Sequence, residues 1–167
     1  GTDPLPLTAA PADWEAYEGL PLRITAPLTV VGLHNLQRNG ELWVSVDGRL
    51  WQPTEVALPG SEQARAVERD NQRRLLVLDD ASDARDPDAL ALLPPGRLPR
   101  GGMQITGVEG ILEQRFGPGW RLQVSQPLAL PAADRPAAAP QVAGRVKVAA
   151  LNLENYFNGD GAGGGFP

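Results

Sequence analysis

From Leu20 the chain alternates: Leu20, Leu22 and Ile24 face one way, Pro21, Arg23 and Thr25 the other. That two-residue period predicts a half-buried strand. Leu28 and Val30 resume the pattern after Pro27, so the strand is expected to bend and bulge there. Leu42, Val44 and Val46 alternate with Trp43, Ser45 and Asp47. Asp47-Gly48 is a two-residue hairpin signal, with residues 49–52 as the return strand. Ser61 is a helix cap, and Glu62 sits where the helix dipole favours an acid. The helix predicted to run from there to about Asn71 has only Ala64 and Val67 as an apolar stripe, which makes it short and superficial. Residues 75–78 are continuously apolar, as in a buried strand. Residues 103–113 form another strand with Gly107 and Gly110 as bend points, and Trp120, Leu122 and Val124 alternate with Arg121, Gln123 and Ser125.

This order predicts a mostly β protein: an OB-like Greek-key barrel with one short helix between its third and fourth strands. A β-sandwich stays open, because residues 75–78 are one strand more than the simple barrel needs. Residues 1–13 are a Pro/Ala-rich lead, 14–130 the β module, and 131–144 an Ala/Pro-rich linker. Residues 145–167 follow as an orphan strand (Val146, Val148, Ala150) and a loop. Seventeen prolines and nineteen glycines favour short strands joined by turns over long helices.

Charge narrows the function. Fifteen basic residues against twenty acidic ones leave a formal net charge of −5. An autonomous grip on a phosphate backbone usually carries a basic surplus, so DNA is a weak, salt-sensitive partner at best. The absence of cysteine rules out disulfides and thiolate metal sites. No apolar run approaches a membrane span.

Candidate chemistry is thin. Arg65, Arg69, Arg73 and Arg74 share the predicted helix and its exit and could face a nucleic-acid backbone, but Glu62, Glu68 and Asp70 interleave with them at helix-pair spacing. Trp43 and Trp51 flank Asp47-Gly48, on strands an OB fold uses for base stacking. His34, the only histidine, lies in a Gly-Leu-His-Asn turn and reads as a surface residue. Asp79, Asp80, Asp83, Asp86 and Asp88 lack the glycine and terminal Glu of an EF-hand, so a solvated loop is expected and no metal site is assigned. Gly159-Asp-Gly-Ala-Gly-Gly164 fits a dinucleotide fingerprint formally, but no helix follows it. A carbohydrate-binding module is allowed by the tryptophans, with nothing else in the sequence to support it.

The segment from Val146 to Phe157, Val-Lys-Val-Ala-Ala-Leu-Asn-Leu-Glu-Asn-Tyr-Phe, resembles the opening strand of the endonuclease/exonuclease/phosphatase (DNase-like) superfamily. Tyr17-Glu18-Gly19, Gly48-Arg49-Leu50-Trp51-Gln52-Pro53-Thr54, and Asn71-x-Arg73-Arg74 leading to Leu78-Asp79-Asp80 resemble the region before the nuclease domain in bacterial extracellular endonucleases. The resemblance implies that Asn152 sits beside the scissile phosphate and that Asn155 begins the following loop. It further implies a secreted parent enzyme hydrolysing DNA, with RNA left open, using Mg²⁺ or Ca²⁺/Mn²⁺. The chain ends at Pro167, before the Glu, His and Asp residues of that chemistry. By itself it is expected to hold no cofactor and to be inactive. Its expected partner is its own downstream catalytic domain, and its expected tasks are handling substrate or, alternatively, structural docking to a protein or cell surface without touching nucleic acid.

Overall fold

The computed structural model describes residues 3–87, 89–115, 119–132, 138 and 141–150. The chain divides into two compact units, Gly1–Asp134 and Arg135–Pro167. The first is mostly β. Among its described residues there are eight strands: β1 (Leu5–Leu7), β2 (Pro21–Ile24), β3 (Leu28–Gly32), β4 (Leu42–Val46), β5 (Leu75–Asp79), β6 (Gln104–Ile105), β7 (Val108–Glu113) and β8 (Trp120–Val124). They form one mixed sheet in the order β1-β2-β7-β8-β5-β4-β3-β6. The pairs β1–β2 and β5–β8 are parallel and the rest antiparallel.

The alternation read from sequence sets the inner face. Leu22, Ile24, Leu28, Val30, Leu42, Val44, Val46, Leu76, Leu78, Leu112 and Leu122 are almost wholly buried in one core. Bends fall where the chain chemistry puts them. Proline cannot donate to a ladder, and Pro27 separates β2 from β3, its carbonyl accepting from Asp47 N at 3.0 Å. Gly107, at φ 69, separates β6 from β7.

The lead is part of this unit. Leu5–Leu7 adds parallel to β2, and Trp14, 3% exposed, donates its indole N–H to the Arg73 carbonyl at 2.7 Å. The loop after β5 also contributes to the core through Leu92 and Leu93.

The expected hairpin is corrected. Asp47 and Gly48 do turn, with φ of 61 and 96, but residues 49–52 form no strand. The edge of β4 is taken by β5 instead. The Arg74 guanidinium holds the carbonyls of Gly48 and Arg49, at 3.2 and 2.8 Å, which a return strand would have offered to a ladder. Pro53, which has no ladder donor, opens the short helix α2 (Pro53–Val56), reached after α1 (Leu36–Asn39). Consequently the main helix α3 (Glu62–Arg74) lies between β4 and β5, and with β2 and β3 counted as the one bent strand expected there it follows the second of the expected strands instead of the third. Ser61 caps it, its hydroxyl accepting from Ala64 N at 3.1 Å.

In the second unit, residues 141–150 are described and none is in a strand. The orphan strand expected there is therefore not seen in its described part. Val146 and Val148 are 81% and 89% exposed, because an alternating segment gains nothing from its pattern without a neighbouring strand. Asn152 and Asn155 lie outside the described residues.

Candidate functional site

Strand register puts one row of side chains on the outer face of the sheet. Trp43 lies opposite Val77, Val77 opposite Arg121, and Arg121 opposite Glu113. Glu41, Asp79 and Gln123 fall on the same face by the two-residue period. At its centre the Arg121 guanidinium Nη1 donates to Glu41 Oε1 at 2.7 Å and to Asp79 Oδ2 at 2.8 Å. Its Nε donates to the Arg115 carbonyl at 2.9 Å. The three side chains are 10%, 9% and 16% exposed.

Electrostatics explain how these charges tolerate burial. Burial pushes the Glu41 carboxyl up, but hydrogen bonds from Arg121 and Asn35 outweigh it and leave its pKa below the ordinary value. Asn35 Nδ2 supplies its bond at 2.8 Å. Burial would likewise lower the pKa of Arg121, yet the two carboxylates raise it above the ordinary value. The indole N–H of Trp43 adds to the depression of Glu41 without reaching hydrogen-bond geometry. Arginine suits the position because its planar fork presents several donors in fixed directions.

A cleft of about 690 Å³ opens over this row. The β3–β4 connection, carrying Asn35 and Asn39, forms one wall, and the loop after β5, with Asp83 and Arg85, forms another. The two walls are tied together. Asp86 N donates to the Arg38 carbonyl at 2.9 Å. The Asp80 carboxylate also packs against Gly40, where a Cβ would lie 2.5 Å from Oδ2, and Gly40 has φ +71. Burial raises the Asp80 pKa, with the Ser82 backbone N–H partly offsetting it. His34 packs on Trp43 with ring centroids 4.9 Å apart and planes tilted 55°.

The residues singled out from sequence do not converge. Arg65 and Arg69 both approach Glu62, at 3.9 and 2.8 Å. Arg73 binds Asp70 at 2.6 Å and the Ala10 carbonyl at 2.8 Å. Arg74 reaches Asp70 at 3.5 Å besides its two carbonyls. The arginines of α3 thus act mostly on their own chain. Trp51 is 47% exposed but lies off the sheet, with the Arg49 guanidinium carbon 3.7 Å from its ring centroid. Trp43 alone of the six borders the cleft.

In the acidic loop, Asp79 is taken by Arg121, Asp80 packs on Gly40, and Asp88 lies outside the described residues. Among the described residues no group of three or more acidic or histidine side chains could hold a metal ion, so no chemistry through a metal is derived from them. No described helix is long and apolar enough to cross a membrane. Sequence reasoning missed Glu41 and Arg121 and placed Asp79 in a solvated acidic loop; the available signal was charge placed beside or within otherwise apolar strands. No protein-family model, curated protein or solved structure matches the chain.

Proposed function

We propose that residues 3–132 are an OB-type accessory module of a secreted, metal-dependent nuclease, and that the module docks and positions instead of gripping nucleic acid. The OB reading is supported by pairing order. The five strand-lengths are β2 with β3, β4, β5, β6 with β7, and β8. The first pairs with the second and, at both of its halves, with the fourth. The third and fifth form the parallel pair. The cleft then lies on the outer sheet face flanked by loops, where OB modules bind their ligands. The nuclease reading rests on the resemblance of Val146–Phe157 taken together with the upstream segments at Tyr17–Gly19, Gly48–Thr54 and Asn71–Asp80, with Asn152 as the implied phosphate contact.

The observation that carries the docking role is the engagement of the α3 arginines. Each of the four contacts a carboxylate or carbonyl of this chain. Using Arg73 or Arg74 on phosphate would break their carbonyl contacts, Arg65 and Arg69 already share Glu62, and the net charge of −5 opposes the approach of a polyanion. Fluorescence anisotropy with single-stranded and duplex DNA at physiological salt tests this. Binding no tighter than about 1 μM is expected, the range of non-specific association. Submicromolar binding abolished by Arg65→Ala with Arg69→Ala overturns the docking role. The parent reading has its own test: full-length enzyme cleaves plasmid with a divalent cation, and Asn152→Ala lowers turnover by roughly a hundredfold while leaving the fold intact.

A further inference from the structure

We propose that the cleft over Arg121 takes a neutral, polyhydroxylated ligand: a short stretch of uncharged oligosaccharide. The inference rests on the docking role above and names the chemistry that would be docked to.

The cleft is polar yet nearly charge-balanced, lined by four carboxylates and three arginines. Its central cation is already clamped by Glu41 and Asp79, and Arg115 lies 3.8 Å from Glu113. An anionic ligand seated on Arg121 would have to pull it from Glu41 and Asp79, and a cationic one seated on those carboxylates would compete with Arg121 for them, while Arg85 and Asp83 nearby carry opposite charges. Either exchange strands a buried charge, which is strongly unfavourable. A neutral ligand leaves the clamp intact and uses the lone pairs and N–H groups at its edge.

The groups on offer suit vicinal hydroxyls. Asn35, Asn39 and Gln123 present amides and Asp83 a carboxylate, all bordering the cleft. An amide offers donor and acceptor side by side, and a carboxylate offers paired acceptors. A sugar hydroxyl both donates and accepts, so neighbouring hydroxyls can bridge such groups. Trp43 adds an aromatic surface at the cleft, half-buried with His34 against it, for the apolar C–H face of a pyranose ring. A single-stranded nucleic acid could use the same ring, but each nucleotide brings a phosphate to a lining with more carboxylates than arginines.

The site is also held in advance of any ligand. The clamp fixes β4, β5 and β8 to one another, and the contacts of Asp86 with Arg38 and Asp80 with Gly40 hold the walls. Little ordering cost remains for binding.

Nuclear magnetic resonance titration of the isotopically labelled 167-residue chain tests the proposal. The probes are maltotriose, cellotriose, xylotriose and laminaritriose, with trigalacturonate and oligothymidylate as charged counterparts. At least one neutral trisaccharide is expected to shift the Trp43 indole and the Gln123 side-chain amide saturably. Gln123→Ala and Asp83→Ala, both away from the core, should each weaken that binding by about tenfold, the equivalent of roughly 1.4 kcal/mol. Trp51→Ala should leave it unchanged. Saturable shifts that persist undiminished in both cleft variants overturn the assignment of the site. If no neutral trisaccharide shifts these resonances and oligothymidylate does not either, the ligand class falls and the docking role stands. Tight oligothymidylate binding in the cleft overturns both.

Discussion

Arginine meets carboxylate in two regions of this molecule, under opposite conditions. On the outer sheet face, Arg121 is 10% exposed and bridges Glu41, just before β4, and Asp79, at the end of β5. On α3, Arg65 and Arg69 are 66% and 63% exposed and share Glu62 from their own helix. The distances overlap, 2.7 Å at the clamp against 2.8 Å for Arg69. Distance therefore does not rank them. Water screens the helix pairs and solvates each partner when they separate. At the clamp each carboxylate has lost most of its water, so separation leaves a charge with little in exchange. A contact map alone would class the two regions together, whereas burial separates them into one that organises strands and one that decorates a surface.

The strongest way to break that contrast is Arg121→Ala. It leaves Glu41 and Asp79 buried beside each other without their cation, and should destabilise the protein by about 3–5 kcal/mol. Urea unfolding at neutral pH measures it. The deficit should shrink as the pH is lowered and Glu41 takes its proton. A loss no greater than that of an exposed pair would mean that the clamp is solvated in solution.

Glu41→Gln sharpens the same point through pH. The folded pKa of Glu41 is depressed below its ordinary value of 4.5. Its contribution is therefore present above that value and is lost as the pH falls through the folded pKa. Asp80 acts in the opposite sense, since its raised pKa favours the folded state on acidification. The Gln variant should lose about 1.5–3 kcal/mol at pH 7, the range for hydrogen bonds to a charged group. It should also show a shallower fall in urea midpoint between neutral and acid pH than the parent. An identical pH profile would remove Glu41 from the clamp.

Much of the β framework was legible in the residues. The alternation of Leu42, Val44 and Val46 named the inner face of β4 and, by the same period, put Trp43 outside. What the period cannot express is which strands become neighbours. Arg121 is 80 residues from Glu41 and 42 from Asp79, and they meet only because β8 runs parallel to β5 while β5 pairs with β4. The α3 arginines drew attention instead because helix spacing is local. The misplaced hairpin has a similar origin: Asp47-Gly48 encodes a turn, while Pro53 and the reach of Arg74 decide where the chain goes afterwards. Leu5–Leu7 was hidden by brevity, as three residues that follow Pro4 and enclose Pro6 carry almost no period.

Arg74 lies between the two extremes. It belongs to α3, yet its side chain is only 17% exposed and it holds two carbonyls of the segment after β4. Arg74→Ala should cost about 1–2 kcal/mol, less than the clamp because its partners are carbonyls near solvent. Arg74→Lys should recover only part of that, since a point ammonium lacks the second nitrogen with which the guanidinium faces Asp70 while Nη2 holds the Gly48 and Arg49 carbonyls. Full recovery by Lys would mean that charge alone, through Asp70, fastens this segment.

The smallest effect is expected at Glu62, the acid shared by Arg65 and Arg69. With its side chain 74% exposed, Glu62→Ala removes two screened contacts and a favourable charge in the first turn of α3. Ser61 still caps the helix through Ala64 N, so the backbone start is kept. The loss should stay under about 1 kcal/mol at low salt. It should fall further at 1 M salt, where the screening length drops to about 3 Å. The same salt series on Arg121→Ala should leave most of that deficit in place, because a pair only 9–16% exposed is screened much less than one at the surface. Thermal unfolding of both variants across the series compares the two regions directly. Salt curves of equal slope would show that burial does not divide them, and the distinction between an organising cluster and a decorated helix face would fail.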